Sequence, residues 1–585
     1  MIRKLIRQML TAQIFSALTV SLCFLIDSIM ISRFLGEKAI AAYGLANPLL
    51  LAIGAIGTLL AAGVQVVCSK ALGRGCQEEA NTGYASAVAA SLVISLVFMT
   101  AVILFRSLLA RIMGAGRSGE LFEMTRDYLV GFSIGAPGSV GALVLVPFLQ
   151  MAGQSNLLIA AVLTMTVTDV ALDMLNVLVF NGGMLGMGLA SALSYYAAMI
   201  VAGIYLFSKK SVFRFSRKSV KMRMIAALFS SGIPAGVNML ASVVLVFLMN
   251  RMLKNLDGSA ALAAYTVILS IGNAANCITT GIGGVSLTLC GIFFHEEDRS
   301  ALRETVKRLS LSGAVLGLGM GLILLAGAPA LISLFIPNAG KTQEMAVLGL
   351  RLFGAGLIPC CINNALKYSY QASGRTVLTE IISLLEGAVL PATAAFIFSR
   401  FMGTDGAWLF FAAGEILTLL FVGLLIRRMS GKIPWKDGAC LLLKEGFGAG
   451  PDEMLEADIA SMEDVAAAAR QGEDFCRQHG QDARISNHIA LCIEEMAGNV
   501  IRYGFRDGKP HHLSVLLLNK PEHWVLRFRD DCRAFDPVHY VPKEEEQALG
   551  IRLILAFAEE AYYTYSMNLN NLALKLPKAH KEMKA

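Results

Sequence analysis

Charged side chains are what this sequence has least of. Only 16% of its 585 residues are Asp, Glu, Lys or Arg, and mean hydropathy is +0.61. An average soluble domain carries about 25% charge, so a single water-soluble fold is excluded. The shortage is uneven. Residues 451–585 hold 22 acidic and 16 basic side chains, net −6, while residues 1–450 hold 21 acidic and 34 basic, net +13. Seven of the eight histidines lie beyond residue 470. The eleven cysteines form no C-x-x-C, and Cys23, Cys68, Cys277 and Cys290 sit inside apolar runs. Neither a disulfide framework nor a zinc site follows; they read as small core residues of a reducing compartment. A complete G-x-x-x-x-G-K-[ST] loop is missing too. Gly340-Lys341-Thr342 has Phe335 where the first glycine belongs, which excludes an ATP-driven pump built on that loop. No nucleic-acid partner is implied.

What is present is a succession of apolar runs, at roughly 11–33, 44–67, 84–105, 128–150, 157–180, 186–207, 226–250, 263–290, 309–335, 346–370, 377–399 and 406–427. Each has about the 20 residues that a bilayer core requires. The first follows a basic start, but it is too long for a signal peptide and no small-residue cleavage site follows it. Arg3, Lys4 and Arg7 precede the first run. Lys209, Lys210, Arg214, Arg217, Lys218, Lys221 and Arg223 follow the sixth without an acid, and Arg427, Arg428, Lys432 and Lys436 follow the twelfth. All three groups fall on one side when the count is even. The positive-inside rule makes that side cytoplasmic, although Arg106, Arg111, Arg117 and Arg126 run against it. The expected location is the plasma (inner) membrane, multi-pass, with both termini cytoplasmic.

Gly36, Ala39, Ala41, Ala42 and Tyr43 repeat as Gly258, Ala261, Ala263, Ala264 and Tyr265, and Pro137 as Pro359. An offset near 222 over six runs implies a parallel repeat of two six-helix halves, with a substrate held between them and the halves rocking alternately. Asp27 lies well inside the first run, where a carboxylate costs about 2.5–3.5 kcal/mol, so it should face the interior with a cation or proton. Asp169 and Asp173 share one helix face at i, i+4, with Asn176 three further on, a spacing that suits proton uptake and release. A packing role for Asp27, or a water-lining role for one of the pair, stays open. Glu380, Glu386 and Glu415 are weaker candidates, and Lys367 is expected to snorkel to the interface.

The order of Ile26-Asp27-Ser28, Phe34-Leu35-Gly36, Gly73-Arg74-Gly75, Gly232-Ile233-Pro234 and Gly406-Ala407-Trp408 to Glu415 resembles the multidrug and toxic-compound extrusion family over residues 1–430. The resemblance implies twelve transmembrane helices and export of a bulky, amphipathic or cationic compound in exchange for Na⁺ or H⁺. It also implies cation coupling at Asp27 and at Asp173.

After a glycine-containing linker at 431–452, residues 453–585 read as an α/β two-layer sandwich. Helices are expected at 461–479, 485–505 and 549–556, paired strands at 512–518 and 523–529, and two closing strands. Glu495 and Asn499 share a helix face, which sets a base beside a Mg²⁺ ligand. Asp530 ends a strand and could accept from an adenine amino group. Gly550 opens a helix suited to phosphate. In this order the clusters resemble the histidine-kinase-like ATPase fold, especially its anti-sigma-factor serine-kinase branch. By that resemblance Glu495 is the catalytic base, Asn499 the Mg²⁺ ligand, Asp530 the adenine reader and Gly550 part of the phosphate loop, so ATP and Mg²⁺ are the expected cofactors. Cys532, Ala534 and Ala548 replace the family's glycines, which puts phosphotransfer in doubt. The acidic tail is expected to dock on the basic loop 209–223. A lipid-linked-substrate flippase, a membrane-anchored kinase-like signalling protein and a degenerate interaction module stay open.

Overall fold

A computed structural model describes the chain apart from residues 1, 36, 114, 116, 209–210, 337–339, 435, 437, 444–446, 449, 508–509, 541–548 and 579–585. Gly36, Lys209, Lys210 and Ala548, used above, lie outside the described residues. The apolar runs form helices throughout. The first half contains α1 (Ile2–Met30), α2 (Glu37–Gly73), α3 (Gln77–Ile112), α4 (Glu120–Ile134), α5 (Ala136–Met151), α6 (Ser155–Leu175) and α7 (Gly183–Leu206). The second contains α8 (Met222–Ala275), α9 (Cys277–His295), α10 (Arg299–Ser333), α11 (Lys341–Ala372), α12 (Thr376–Leu384), α13 (Leu390–Ala407) and α14 (Phe410–Ser430). Among the described residues ten stretches are long and apolar enough to cross a bilayer, or eleven when the 45° bent pair α4–α5 counts as one span. The 29-residue α1 is the remaining expected run. α8 is two rods joined at Asp257–Gly258, where Gly258 has φ 65°, a backbone state that glycine adopts without penalty.

The halves meet along α2, α8 and α9. A Cβ on Gly63 would strike the Leu228 carbonyl, one on Gly232 the Leu59 carbonyl, and one on Gly291 the Ser69 side chain. Small residues therefore let the backbones touch, the device by which membrane helices pack without a hydrophobic drive. Gln65 crosses the same seam and donates to Gln150 Oε1 and Thr288 Oγ1, each at 3.3 Å. These contacts lie toward the end that carries the start of α1 and the tail domain, and they close the seam there. At the opposite end of α2, Gly44 and Gly54 face open space.

The tail is a five-stranded antiparallel sheet, ordered β1-β2-β3-β5-β4, with helices on one face. Its elements are β1 (Met454–Ile459), α15 (Met462–Gln478), α16 (Ala483–Asn499), β2 (Leu513–Asn519), β3 (His523–Asp530), α17 (Leu549–Phe557), β4 (Glu560–Ser566) and β5 (Leu569–Pro577). Strand β1 is not foreseen from the sequence. Alternate residues Leu517, Trp524, Leu526, Phe528 and Leu574 build the core with α15 and α16. The residues between them on β3, Arg527 and Arg529, point to the other face.

The described part of the linker is packed. Its Ala439, Cys440, Leu441 and Leu442 are buried against the second half; Tyr370 Oη donates to Cys440 O at 2.7 Å, and Arg375 donates to the carbonyls of Leu441 and Leu442. Among the described residues, the tail's ion pairs lie away from the basic loop. Described residues 211–223 fold back onto α3, with Phe213 buried against Tyr84 and Phe148, and the Arg214 N–H donating to Asn81 Oδ1 at 2.9 Å. The tail instead grips the acidic turn after α9. Arg529 pairs with Glu296, Arg529 Nη1 lies 3.5 Å from Asp298 Oδ2, and Lys520 Nζ lies 2.6 Å from Glu297 Oε2. Local charge outweighs net charge because the Coulomb energy falls with distance and salt screens what is far away.

Candidate functional site

Three carboxylates meet inside the first half. Asp27 comes from α1, and Asp169 and Asp173 come from one face of α6. All are buried, and Asp27 and Asp169 line one small pocket. Asp27 Oδ1, Asp169 Oδ1 and both oxygens of Asp173 have no hydrogen-bond partner among the described residues. Buried carboxylate oxygens left so are costly unless a proton or cation joins them. Each contributing helix changes to π-helix just beyond its acids, at Ile31–Leu35 and Asn176–Phe180, a distortion frequent at functional sites. Asn176 is not brought into the cluster's polar contacts. Its Nδ2 donates to Gly183 O and its Oδ1 accepts from the Gly182 N–H, both at 3.1 Å, so its amide ties down the turn before α7. Beside the acids lies a cavity of about 210 Å³. Its walls, including Leu50, Ile53 and Val162, are mainly apolar, and it shares Phe132, Met165 and Tyr195 with the rim of the acidic cluster.

The second half has its own buried polar group. Lys367 does not snorkel. Its Nζ lies 2.7 Å from Glu386 Oε2, with both side chains under a tenth exposed. Glu386 sits in a third π segment, Leu385–Val389. Glu415 accepts from Asn363 Nδ2 at 2.9 Å, and one of its carboxylate oxygens, one of Glu386 and the Cys360 Sγ all lie within 4.8 Å of one another. Lys367 is the cation on the spot that lets two glutamates lie so close. Glu380 is only half-buried.

In the tail, Asn499 and Asp530 line one cavity of about 550 Å³, with Tyr503, Phe535, Tyr540 and Tyr563 around it. Asp530 ends β3 with its side chain buried, and Asn570 Nδ2 (2.7 Å) and the Cys532 N–H (3.0 Å) both donate to its Oδ1. Burial raises its carboxyl above the usual range, and those two donors oppose the rise without cancelling it. Asn570, missed in the sequence, also accepts from the Phe535 N–H and from Tyr563 Oη, so it organises that wall. Glu495 and Gly550 meet each other at the edge rather than lining the cavity: a Cβ on Gly550 would collide with the Glu495 carboxylate. An aromatic-walled cavity with a buried acid at its end and an amide on its side has the size and donor set for a nucleotide and a hard cation.

Comparison with known proteins agrees with this division. The MatE family model matches residues 12–175 and again 234–426, starting at the offset of the sequence repeat. The model described as histidine kinase-like ATPase domain matches residues 459–576. Multidrug export protein MepA of Staphylococcus aureus (strain N315) is 24% identical over 403 residues, 68% of this chain and 85% of that protein. The protein of the same name from Staphylococcus saprophyticus is 23% identical over 392 residues, 66% and 85% of the two chains. Among solved structures, MATE in complex with MaL6 superposes with a TM-score of 0.68 at 20% identity, covering 73% of this chain and 96% of that one. A MOP superfamily transporter from Pyrococcus furiosus gives 0.68 and 20%, over 73% and 95%. This chain belongs to the MatE family and carries a histidine kinase-like ATPase domain behind its membrane helices.

Proposed function

We propose that this protein exports bulky amphipathic, often cationic, organic compounds from the cytoplasm in exchange for Na⁺ or H⁺, and that its tail binds Mg·ATP as a regulator. The observation that carries the first part is the set of unpartnered carboxylate oxygens of Asp27, Asp169 and Asp173 beside an apolar cavity. An incoming proton or Na⁺ satisfies the carboxylates; a cationic substrate in the adjoining cavity competes for the same negative charge. Occupancy by one therefore weakens the other, which is the linkage that an antiporter needs. The apolar wall accepts the hydrophobic body of the substrate without recognising its detail. The name of the MepA relatives supports this reading, as does the closure of the seam on the side of the chain ends, which under the positive-inside rule is cytoplasmic.

The second part is supported by the tail cavity. Asp530 would take the adenine amino group, Asn499 would hold Mg²⁺ and Glu495 would orient a water or hydroxyl. Cys532 and Ala534, where the family carries glycines, argue for binding rather than rapid turnover. The experiment is transport of a fluorescent lipophilic cation by proteoliposomes under imposed Na⁺ or H⁺ gradients, with and without Mg·ATP. Gradient-driven efflux that survives without ATP supports both parts. Efflux that requires hydrolysis even with a gradient makes the tail the motor and refutes them.

A further inference from the structure

The tail touches both halves at once, on the end where they are closed. On the second half, Arg527 and Arg529 of β3 lie against the turn after α9. Arg527 Nη2 donates to Glu296 O at 2.8 Å, Arg529 pairs with Glu296 and Asp298, and Asn571 Nδ2 donates to Glu296 Oε1 at 2.5 Å. The two arginines and both acids are under a tenth exposed. On the first half, the turn between β4 and β5 reaches the loop after α5. The Met567 N–H donates to Met151 O at 2.7 Å, and Asn568 Nδ2 donates to Gly153 O at 2.9 Å. Met567 and Asn568 both have left-handed backbone, φ 57° and 59°. That suits Asn but is strained for Met, and such strain persists where surrounding contacts over-determine it. Met567 is 5% exposed and shares one core with Leu569, Met9 and Val66 of the first half, and Ile292 and Phe293 of the second. The hairpin tip is thus a plug set in the seam.

We propose that the tail is a clasp that holds the two halves together on the side of the chain ends, and that its β4–β5 hairpin must withdraw from the seam before that side can open. The proposal rests on reading the membrane part as an alternating-access exporter, because rocking must part α2 from α9 at this point. The second half keeps the tail in either state, since the linker and the buried arginines both belong to that grip. The first half is held by two neutral hydrogen bonds, the plug and one ion pair, Lys4 Nζ to Asp531 Oδ2 at 3.3 Å, whose lysine is half exposed; exposed pairs contribute little beside buried ones, so release happens there. The nucleotide cavity adjoins the releasing element: Asn570, which donates to Asp530, lies two residues from Asn568 on the same hairpin. A ligand on Asp530 therefore acts next to the plug.

The test uses the full chain in proteoliposomes with the exposed Cys76 changed to Ser. Asn568→Cys with Gln154→Cys is bridged by a short bis-methanethiosulfonate, each arm forming a reducible disulfide with one cysteine and releasing methanesulfinate, and transport is read with inter-half distances from spin labels at Arg74→Cys and Arg299→Cys introduced in a parallel preparation. Bridging should stop transport and freeze the labelled distance, and reduction should restore both. In the unbridged protein, Met567→Gly with Asn568→Ala should favour the separated state by at least about fivefold, the value of one neutral hydrogen bond. Bridged protein that still opens and transports overturns the clasp, as does a hairpin variant whose distance distribution is unchanged. Should unbridged protein transport no lipophilic cation while bridging still freezes the distance, the exporter reading fails and the clasp stands.

Discussion

Lys367→Met is the sharpest probe of the membrane interior. The wild-type Lys367 Nζ lies 2.7 Å from Glu386 Oε2 with both side chains buried, and Glu415 shares the site. Methionine fills the same volume but leaves two carboxylates with no cation. Removing one partner of a buried pair costs about 3–5 kcal/mol. An independent bound comes from the cheapest relief, uptake of a proton: for an ordinary glutamate at pH 7 this costs about 3.7 kcal/mol, or ~1.4 per pH unit. The two figures agree, so the variant should lose about 3–4 kcal/mol at pH 7, and the loss should shrink to roughly 1 kcal/mol at pH 5. Lys367→Met with Glu386→Met should recover most of it, because replacing both members of such a pair by apolar groups is often neutral. Equilibrium unfolding of the purified protein in mixed detergent micelles at both pH values gives the double-mutant cycle. A single variant within 1 kcal/mol of wild type at pH 7, or a double variant no better than the single, would refute the argument that Lys367 neutralises this site.

Asp27→Asn should insert and fold yet lose gradient-driven efflux of a lipophilic cation; unchanged ion-driven transport would remove Asp27 from coupling. Mg·ATP should raise the melting temperature of the full chain by mass action, and Asn499→Ala should abolish most of that rise, as checked by a thermal-shift titration. Asp530→Asn keeps an oxygen for Asn570 and the Cys532 N–H but offers the adenine amino group a donor, so nucleotide affinity should fall about 10–100-fold, the worth of a charge-assisted bond. The same substitution should flatten a pH slope. Burial raises the Asp530 carboxyl, so the folded tail binds a proton more tightly than the unfolded one, and stability falls as pH rises from the free carboxylate range, about 3.9, through the raised folded value. Gly550→Ala meets only the far end of the Glu495 side chain, which can swing aside, so the melting temperature without nucleotide should change little.

Much of the architecture was legible because the signals are long-range in sequence. Runs of about 20 apolar residues have few alternatives to a membrane helix, and the repeat at 222 residues fixes the two halves. The tail's helices and paired strands follow from clear periodicity, with Ser461 and Asp464 forming a capping box at the start of α15. Strand β1 was missed because Met454–Ile459 is only six residues and mixes acids with apolar side chains. Asp27, Asp169 and Asp173 could be found one by one, since each is an ionisable residue where it is costly. That they converge depends on how α1 and α6 pack, and on π turns that leave no readable mark.

The errors have one physical source, the use of averages where pairs decide. A lone lysine in a membrane helix escapes to the interface, but Glu386, nineteen residues away on the next span, removes the need for Lys367 to do so. The tail's net −6 points to the basic loop 209–223, yet its contact with the second half is made by its cations Arg527, Arg529 and Lys520 against Glu296, Glu297 and Asp298. A signal for this was present. In a two-layer sandwich, arginines two apart on a central strand stand on the face away from the helices, and two buried guanidinium groups require acids that the strand itself does not supply. Asp298 meets that requirement twice over, capping α10 through the Ala301 N–H at 2.9 Å while facing both arginines. Burial pushes its carboxyl up, but Arg529, Arg527 and that N–H outweigh it and hold it below the usual range. It therefore stays ionised throughout the neutral range, so the grip on the second half is constant there, and any control by ligand must act on the hairpin at Met567 and Asn568.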